Sequence, residues 1–329
     1  MMIFNRKNSS LVRRLAALLL CAAMLFGCAS AATVRGDLST RFEEPPTLEK
    51  DGQTYQYRRG LTTILVMGID KRVYTDEEPV SFRSGGQSDF LLLLVLDERN
   101  ETITPIHINR DTMTEITVLG VLGDPAGTLV TQLCLSHGFG DGKEESCNYT
   151  CDAVRNLFLG IEIDYYVAMS LDGISELNDL LGGVTVTLKD DFTAYDPTMT
   201  AGTTLTLKGM QAEYFVRNRY YIGDGSNVLR MERQREYMAE AAKIVQARIA
   251  EDANFVGALF DELEDNLVTN MSRGAMINEA WEAHKYTINP TRTLEGETTI
   301  GPDDHVEFYA DEEVTKDIVI DTFYEPVTE

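Results

Sequence analysis

The stretch Phe90 to Leu96 reads FLLLLVL and offers no polar residue to mark a solvent side. A half-buried strand alternates and a surface helix carries a single apolar stripe, so a short unbroken run predicts a strand covered on both faces. Leu61 to Ile69, LTTILVMGI, is a second such run, rich in β-branched residues. Together they imply a central sheet with layers on either side. Asp97-Glu98-Arg99-Asn100 separates the Phe90 strand from Thr102 to Asn109, which predicts a hairpin with a polar turn. The second arm of that hairpin delivers Arg110-Asp111-Thr112 at its end.

Further along, Cys151 to Leu159 and Leu171 to Leu181 have helical apolar spacing, and Ile161 to Met169 between them alternates like a strand. Gly182-Gly183 ends the second helix, and VTVTL follows as another strand. A short helix is expected after Gly209. A long one runs from about Arg230 to Ala250, with Met231, Met238, Ala241, Ala242, Val245 and Ile249 on one stripe. The tail predicts a helix near Phe255 to Val268, a hairpin in TTIGPDDHVEF and a last helix from about Glu312 to Phe323. The pattern is α/β, with helices on both sides of a sheet. Residues 60–250 form the main domain and 251–329 an extension packed on it. Arg35 to Arg59, with Pro45-Pro46 and the Asp51-Gly52 turn signal, reads as a tether.

The chain begins with Arg6, Lys7, Arg13 and Arg14, followed by twenty uncharged residues, Leu15 to Val34. This is an export signal with three open fates: cleavage at Ala29-Ser30-Ala31, lipid attachment at Cys28, or retention as a membrane span. All three place the folded part outside the cytoplasm, on the cell membrane in the second and third. Cys134, Cys147 and Cys151 lie beyond the signal, an odd number that allows buried thiols or one bridge. A zinc site of these with His137 matches no standard ligand spacing. The formal net charge of -24 argues against a nucleic-acid partner, which requires a basic stripe.

Against that acidity, RNRYYIGDGSNVLRMERQR, Arg217 to Arg235, gathers five arginines with only Asp224 and Glu232 to offset them locally. On a helix starting near Arg230, positions 230, 233, 234 and 237 share a face, and Gln234 falls in line with the buried stripe. A polar residue there suggests that the helix start enters a cleft, where backbone amides and the dipole favour an anion such as phosphate. Arg217 and Arg219 alternate about Asn218, so in an extended segment both would project to one face and fork around phosphoryl oxygens. Singly, each of these arginines could equally be a surface ion pair. A divalent cation would reconcile a polyanion with acidic surroundings. Asp70 in MGIDKR and Asp89 in GGQSDF are the carboxylates that magnesium would take. No Walker A loop, H-E-x-x-H or G-x-S-x-G occurs in the sequence, and His107 reads as a packed strand residue.

In this order, GIDKR, SDF with its apolar strand, INRDT, IDYYVAMSLDGISELNDLLGGVTVTL, LKGMQAEYFVRNR and GDGSNVLRMERQR, the chain resembles the LytR-CpsA-Psr family of bacterial cell-wall enzymes from about Leu61 to Ala250. The resemblance implies an α-β-α arrangement of helices around a mixed central sheet. It also implies transfer of a glycopolymer from a polyprenyl-pyrophosphate carrier to peptidoglycan through a phosphodiester. On it, Asp70 and Asp89 become metal-binding or base-providing carboxylates, with Asp70 the base. Arg110, Arg217, Arg219 and Arg230 hold the pyrophosphate, Arg110 with a catalytic share, Gln234 donates to it, and Asp224 orients the arginines. Segments around Val154 to Phe158 and Ile174 to Leu181 are candidates for an apolar lipid channel. The chain departs from the family pattern at Gln87, Phe90, Asn109 and Gln132. The lost cations at Gln87 and Gln132 keep a non-catalytic lipid- or polymer-binding protein open as an alternative, and hydrolysis of the pyrophosphate is another.

Overall fold

The computed structural model describes residues 45–72, 85–252, 254–302 and 304–327. The segment expected to act as an export signal or membrane anchor, with Cys28, lies outside the described residues. Leu48–Lys50 (β1) and Gln53–Tyr57 (β2) pair antiparallel, and β2 pairs on its other side with the C-terminal strand Tyr324–Pro326. The expected tether is therefore folded over this part: Tyr55 and Tyr57 pack against the core, an alternation in QTYQY that the neighbouring prolines and turn signal obscured.

Leu61–Ile69 (β3), Ser88–Asp97 (β4) and Thr102–Ile108 (β5) form the antiparallel centre of the sheet. Met113–Leu119 (β6) and Pro125–Gln132 (β7) stand apart as a two-stranded hairpin, missed in the sequence although its Thr, Ile and Val flank the Gly-Asp-Pro-Ala-Gly turn signal. Tyr165–Met169 (β8) pairs parallel with β3. Thr185–Thr187 (β9) and Thr204–Thr206 (β10) make a small separate pair. Leu267–Thr269 (β11) adds antiparallel to β8, while Thr287–Ile288 (β12) and Arg292–Thr293 (β13) run parallel along the outer edge of β5. The sheet is thus mixed. Gly296–Ile300 (β14) and Val306–Ala310 (β15) form the expected hairpin, and Tyr324–Pro326 is β16.

The apolar strands divide their side chains between two cores. Ile64, Val66, Leu92 and Leu94 face Leu171–Leu180 (α2), Met210–Arg217 (α3), Asn227–Glu251 (α4), Phe255–Leu263 (α5) and Arg273–Ala283 (α6). Leu65, Met67, Leu91 and Leu93 face Glu144–Leu157 (α1) and Glu312–Phe323 (α7). Each buried leucine or valine contributes about 1.5–3 kcal/mol relative to exposure, which is why the strands carry no polar side. The result is the three-layer α-β-α arrangement expected. The tail differs in detail: α5 ends at Leu263, and Leu267–Thr269 is a strand because its backbone completes the β8 edge. α6 was not anticipated, although Ser272 caps it by accepting from the Ala275 amide at 3.2 Å.

Register places the chemistry. Ile69 pairs with Ser88, and Leu91 with Ile108. The end of β3, the start of β4 and the end of β5 therefore coincide at one edge of the sheet, where Asp70, Asp89 and Arg110 emerge.

Candidate functional site

Asp70 and Asp89 flank a single backbone group: the Gln87 carbonyl accepts from the Asp70 amide at 2.9 Å and from the Asp89 amide at 3.1 Å. Asp70 Oδ1 accepts in return from the Gln87 amide at 2.5 Å. Gly86 permits this approach, having φ +75° and no Cβ, which would lie 3.0 Å from that oxygen. Asp89 is shared between two guanidinium groups. Arg110 Nη1 donates to Oδ1, and Arg230 Nη1 to Oδ2 at 3.2 Å. Arg110 also donates to Gln87 Oε1 at 2.6 Å and lies 2.8 Å from Cys134 Sγ. Gln87, which removes a family cation, thus serves to aim Arg110. Gln132 likewise donates to the Val306 carbonyl at 2.7 Å and to Asp111 at 3.3 Å.

The long helix α4 begins earlier than expected because Ser226 caps it, accepting from the Leu229 amide at 3.3 Å. Its first turns face the mouth of the site. Asn227 Oδ1 accepts from Arg230 Nη2 at 2.7 Å, and Asn227 donates to Asn109 at 2.6 Å. Arg230 is buried among charges: burial, opposed by Asp89, lowers its proton affinity, and Arg110 and Arg219 lower it further. The same charges surround Asp111, whose carboxyl burial pushes above the usual range against the pull of Arg110, Arg230 and Arg219. Arg110 and Arg230 thus meet at Asp89, and Arg219 is near enough for its charge to bear on Arg230 and Asp111.

Arg217 and Arg219 reach it differently from the expectation. Arg217 is the last residue of α3, not part of an extended segment, and Asn218 after it is extended. Arg217 pairs with buried Glu213 at 3.7 Å, and Glu213 also accepts from Arg72 at 2.9 Å. Two residues of α4 hold this helix end. Arg233 donates to the Phe215 carbonyl at 2.9 Å and to the Asn218 carbonyl, and Gln234 Nε2 donates to the Val216 carbonyl at 3.1 Å. Gln234 is thus engaged with backbone through its amide nitrogen, while its buried Oε1 has no partner among the described residues. Asp224 accepts from the Ser226 amide at 2.8 Å, a bond that shapes the turn before α4. Asn227, Glu213 and Arg72 were missed in the sequence, and Arg233 was placed on the face of Arg230 and Gln234 without its bonds to α3, because these roles depend on contacts across elements that spacing does not encode.

Behind this charged mouth lies a cleft of about 770 Å³, counting its open end, between the β3–β8 face of the sheet and helices α2, α3 and α4. Asp89, Arg217, Arg230 and Gln234 supply its polar lining, and Val66, Ile69, Phe90, Met169, Ile174, Leu177 and Met238 its apolar lining. Ile174 and Leu177 were expected there. Val154 and Phe158 pack in the core on the opposite face of the sheet, since their helix α1 covers the other layer. The arrangement suits an amphiphile with an anionic head: guanidinium groups fork to phosphoryl oxygens, and the apolar walls take a hydrocarbon.

A magnesium ion takes one or two carboxylates and fills its remaining positions with phosphate and water. Asp70 and Asp89, joined through the Gln87 backbone, are the two carboxylates the site offers such an ion, with both Asp89 oxygens accepting from Arg110 and Arg230. Among the described residues no group of three or more His, Cys, Asp or Glu side chains is placed to hold a metal. His137 is instead buried, with Nδ1 2.8 Å from the Gly85 carbonyl. Cys134, Cys147 and Cys151 are buried free thiols, which resolves the choice between thiols and a bridge.

A family model for the LytR_cpsA_psr family matches residues 32–313. The polyisoprenyl-teichoic acid–peptidoglycan teichoic acid transferase TagU of Halalkalibacterium halodurans is 30% identical over 225 residues, covering 67% of this chain and 63% of the relative. The chain therefore spans less than two thirds of that relative's length. Among solved structures, gbs0355 from Streptococcus agalactiae superposes with a TM-score of 0.64 at 22% identity, covering 80% of this chain and 87% of the other. TagV from B. subtilis superposes with a TM-score of 0.59 at 20% identity, covering 80% and 98%. At these identities the structural likeness concerns the fold.

Proposed function

Because the chain belongs to the LytR-CpsA-Psr family, we propose that it transfers a glycopolymer from a polyprenyl-pyrophosphate carrier to peptidoglycan outside the cytoplasm. The observation that carries this reading is a cleft with a largely apolar lining into which Asp89, Arg217 and Arg230 also reach. Such a site matches a lipid diphosphate at both ends, and the related TagU is named for transfer of teichoic acid from a polyisoprenyl carrier. The Leu15 to Val34 segment would keep the domain at the membrane. None of the described helices is long and apolar enough to cross a bilayer.

In the reaction, an acceptor sugar hydroxyl attacks the phosphorus attached to the glycopolymer. A new P–O bond forms, the P–O bond to the polyprenyl phosphate breaks, and polyprenyl phosphate leaves. The acceptor proton passes to a carboxylate, a role assigned to Asp70, whose second oxygen is held by the Gln87 amide. Arg110, Arg217, Arg219 and Arg230 bind the diphosphate and stabilise charge on its oxygens. Asp89 holds Arg110 and Arg230 in position, and Arg233 with Gln234 fixes the helix end that presents Arg217. Magnesium, held by Asp70 and Asp89, would supply further charge neutralisation when bound.

The test is incubation of the full chain with a polyprenyl-pyrophosphate oligosaccharide, peptidoglycan fragments and magnesium. Oligosaccharide joined to the glycan through phosphate supports transfer. Free sugar phosphate alone would establish hydrolysis, and retention of the lipid without product would establish a binding protein.

A further inference from the structure

The turn between α3 and α4 carries two tyrosines that the transfer chemistry leaves unused. Tyr220 is 71% exposed and Tyr221 89% exposed. Tyr221 also adopts the left-handed backbone conformation, with φ 63°, which bulky residues rarely do. The turn is nevertheless well held. Ile222 is buried beneath it, the Tyr195 hydroxyl donates to the Tyr220 carbonyl at 2.9 Å, and the Gly225 amide donates to the Ile222 carbonyl at 3.0 Å.

One exposed aromatic needs no explanation, because much of any protein surface is apolar. Here two adjacent rings are fixed outward beside cations: the Arg219 guanidinium sits 5.9 Å from the Tyr220 ring centre, and Arg217 lines the cleft. Val228, 57% exposed on the first turn of α4, adds apolar surface. Tyrosine rings at headgroup level, with arginines among the phosphates, are the composition that membrane–water interfaces favour. In a chain of net charge -24, this turn gathers basic and aromatic side chains, and its acid Asp224 accepts from the Ser226 amide.

The chain's entry adds a reason for such a contact. Pro46 lies beside Gly160, and β2 leads into Leu61, which pairs with Asp97 at the end of the sheet opposite Asp70. A tether arriving there does not by itself bring the cleft to a bilayer.

We infer that the Tyr220–Tyr221 turn, flanked by Arg217 and Arg219, is an interfacial contact that seats the cleft mouth on a lipid bilayer. The inference rests on the reading that the substrate is a membrane lipid. It is tested by fluorescence. Trp281 is the single tryptophan and lies near the end of α6, which leads to β12 and its pairing with Thr102 and Ile103, roughly 25 Å along the strands from the mouth. The full chain is mixed with vesicles of phosphatidylcholine and phosphatidylglycerol, with or without brominated acyl chains, as wild type and as Tyr221→Trp in a Trp281→Phe background.

The introduced tryptophan is expected to shift to the blue and lose most of its intensity to bromolipid, while Trp281 in the wild type keeps its intensity. Emission unchanged by vesicles, or stronger quenching of Trp281 than of the introduced residue, overturns the contact. Circular dichroism of the variant checks its fold. Transfer assayed on the same samples separates the two readings: quenching without transfer leaves the contact standing and removes the transferase, and transfer without quenching does the reverse.

Discussion

Arg230 Nη1 donates to Asp89 Oδ2 at 3.2 Å, joining the first turn of α4 to the start of β4 across 141 residues of sequence. Asp89 also takes Arg110 on its other oxygen, so one carboxylate organises two guanidinium groups. Replacing it should separate binding from turnover. In Asp89→Asn both cations become available to an anion, and lipid-diphosphate affinity is expected to hold or rise while transfer falls at least tenfold. Loss of the charged hydrogen bonds should cost about 1.5–3 kcal/mol of stability, read by urea unfolding.

Arg233 is expected to act without touching substrate. Its bonds to the Phe215 and Asn218 carbonyls hold the end of α3. Arg233→Met should weaken lipid-diphosphate binding by allowing Arg217 and Arg219 to drift, and Arg233→Lys should not restore it, because a point charge cannot reproduce the planar fork. A titration of binding in both variants checks this.

Stability should fall on mild acidification. Burial, reinforced by Arg235 and Arg230, pulls His107 down to about 3, and burial pulls His137 down to about 4. Both are neutral when folded, whereas the unfolded chain binds protons near the ordinary histidine pKa of about 6.5. The unfolded state therefore gains protons first, and stability is full above about pH 6.5 and is lost progressively as pH falls toward 3 to 4. His107→Phe, which keeps a ring against Phe90, should remove its share of this slope across the whole window from about pH 6.5 to 3 and leave that of His137. Denaturant midpoints across pH measure it.

The sheet was legible because strands buried on both faces leave unbroken apolar runs, and FLLLLVL can satisfy few other positions. The arginines were legible as a cluster because their charge contrasts with the rest of the chain. What escaped depends on partners distant in sequence. QTYQY became a strand only because β16 returns to pair with it. Arg217 ends a helix because Gln234 and Arg233 hold its last carbonyls. Val154 and Phe158 looked suited to a lipid channel until the layer assignment put them behind the sheet. Gln87 read as a lost cation, and the contact with Arg110 gives it a different task.

The three thiols should be silent in the native protein. Cys134, Cys147 and Cys151 are buried, and burial pushes Cys134 up to about 12 even beside Arg110. Maleimide at pH 8 is expected to leave these three unmodified in the folded chain and to modify them all in denaturant, as counted by peptide mass spectrometry. Native labelling of Cys134 would show that the Arg110 pocket opens.

Capture of a radiolabelled polyprenyl pyrophosphate by the wild type and by Arg217→Ala/Arg219→Ala tests the central claim most directly. Each lost charged hydrogen bond is worth about 1.5–3 kcal/mol, roughly tenfold to over a hundredfold in affinity. The double variant should therefore lose at least a hundredfold while keeping the circular dichroism of the folded wild type. Equal capture by both proteins would contradict the convergence of these guanidinium groups on a lipid diphosphate.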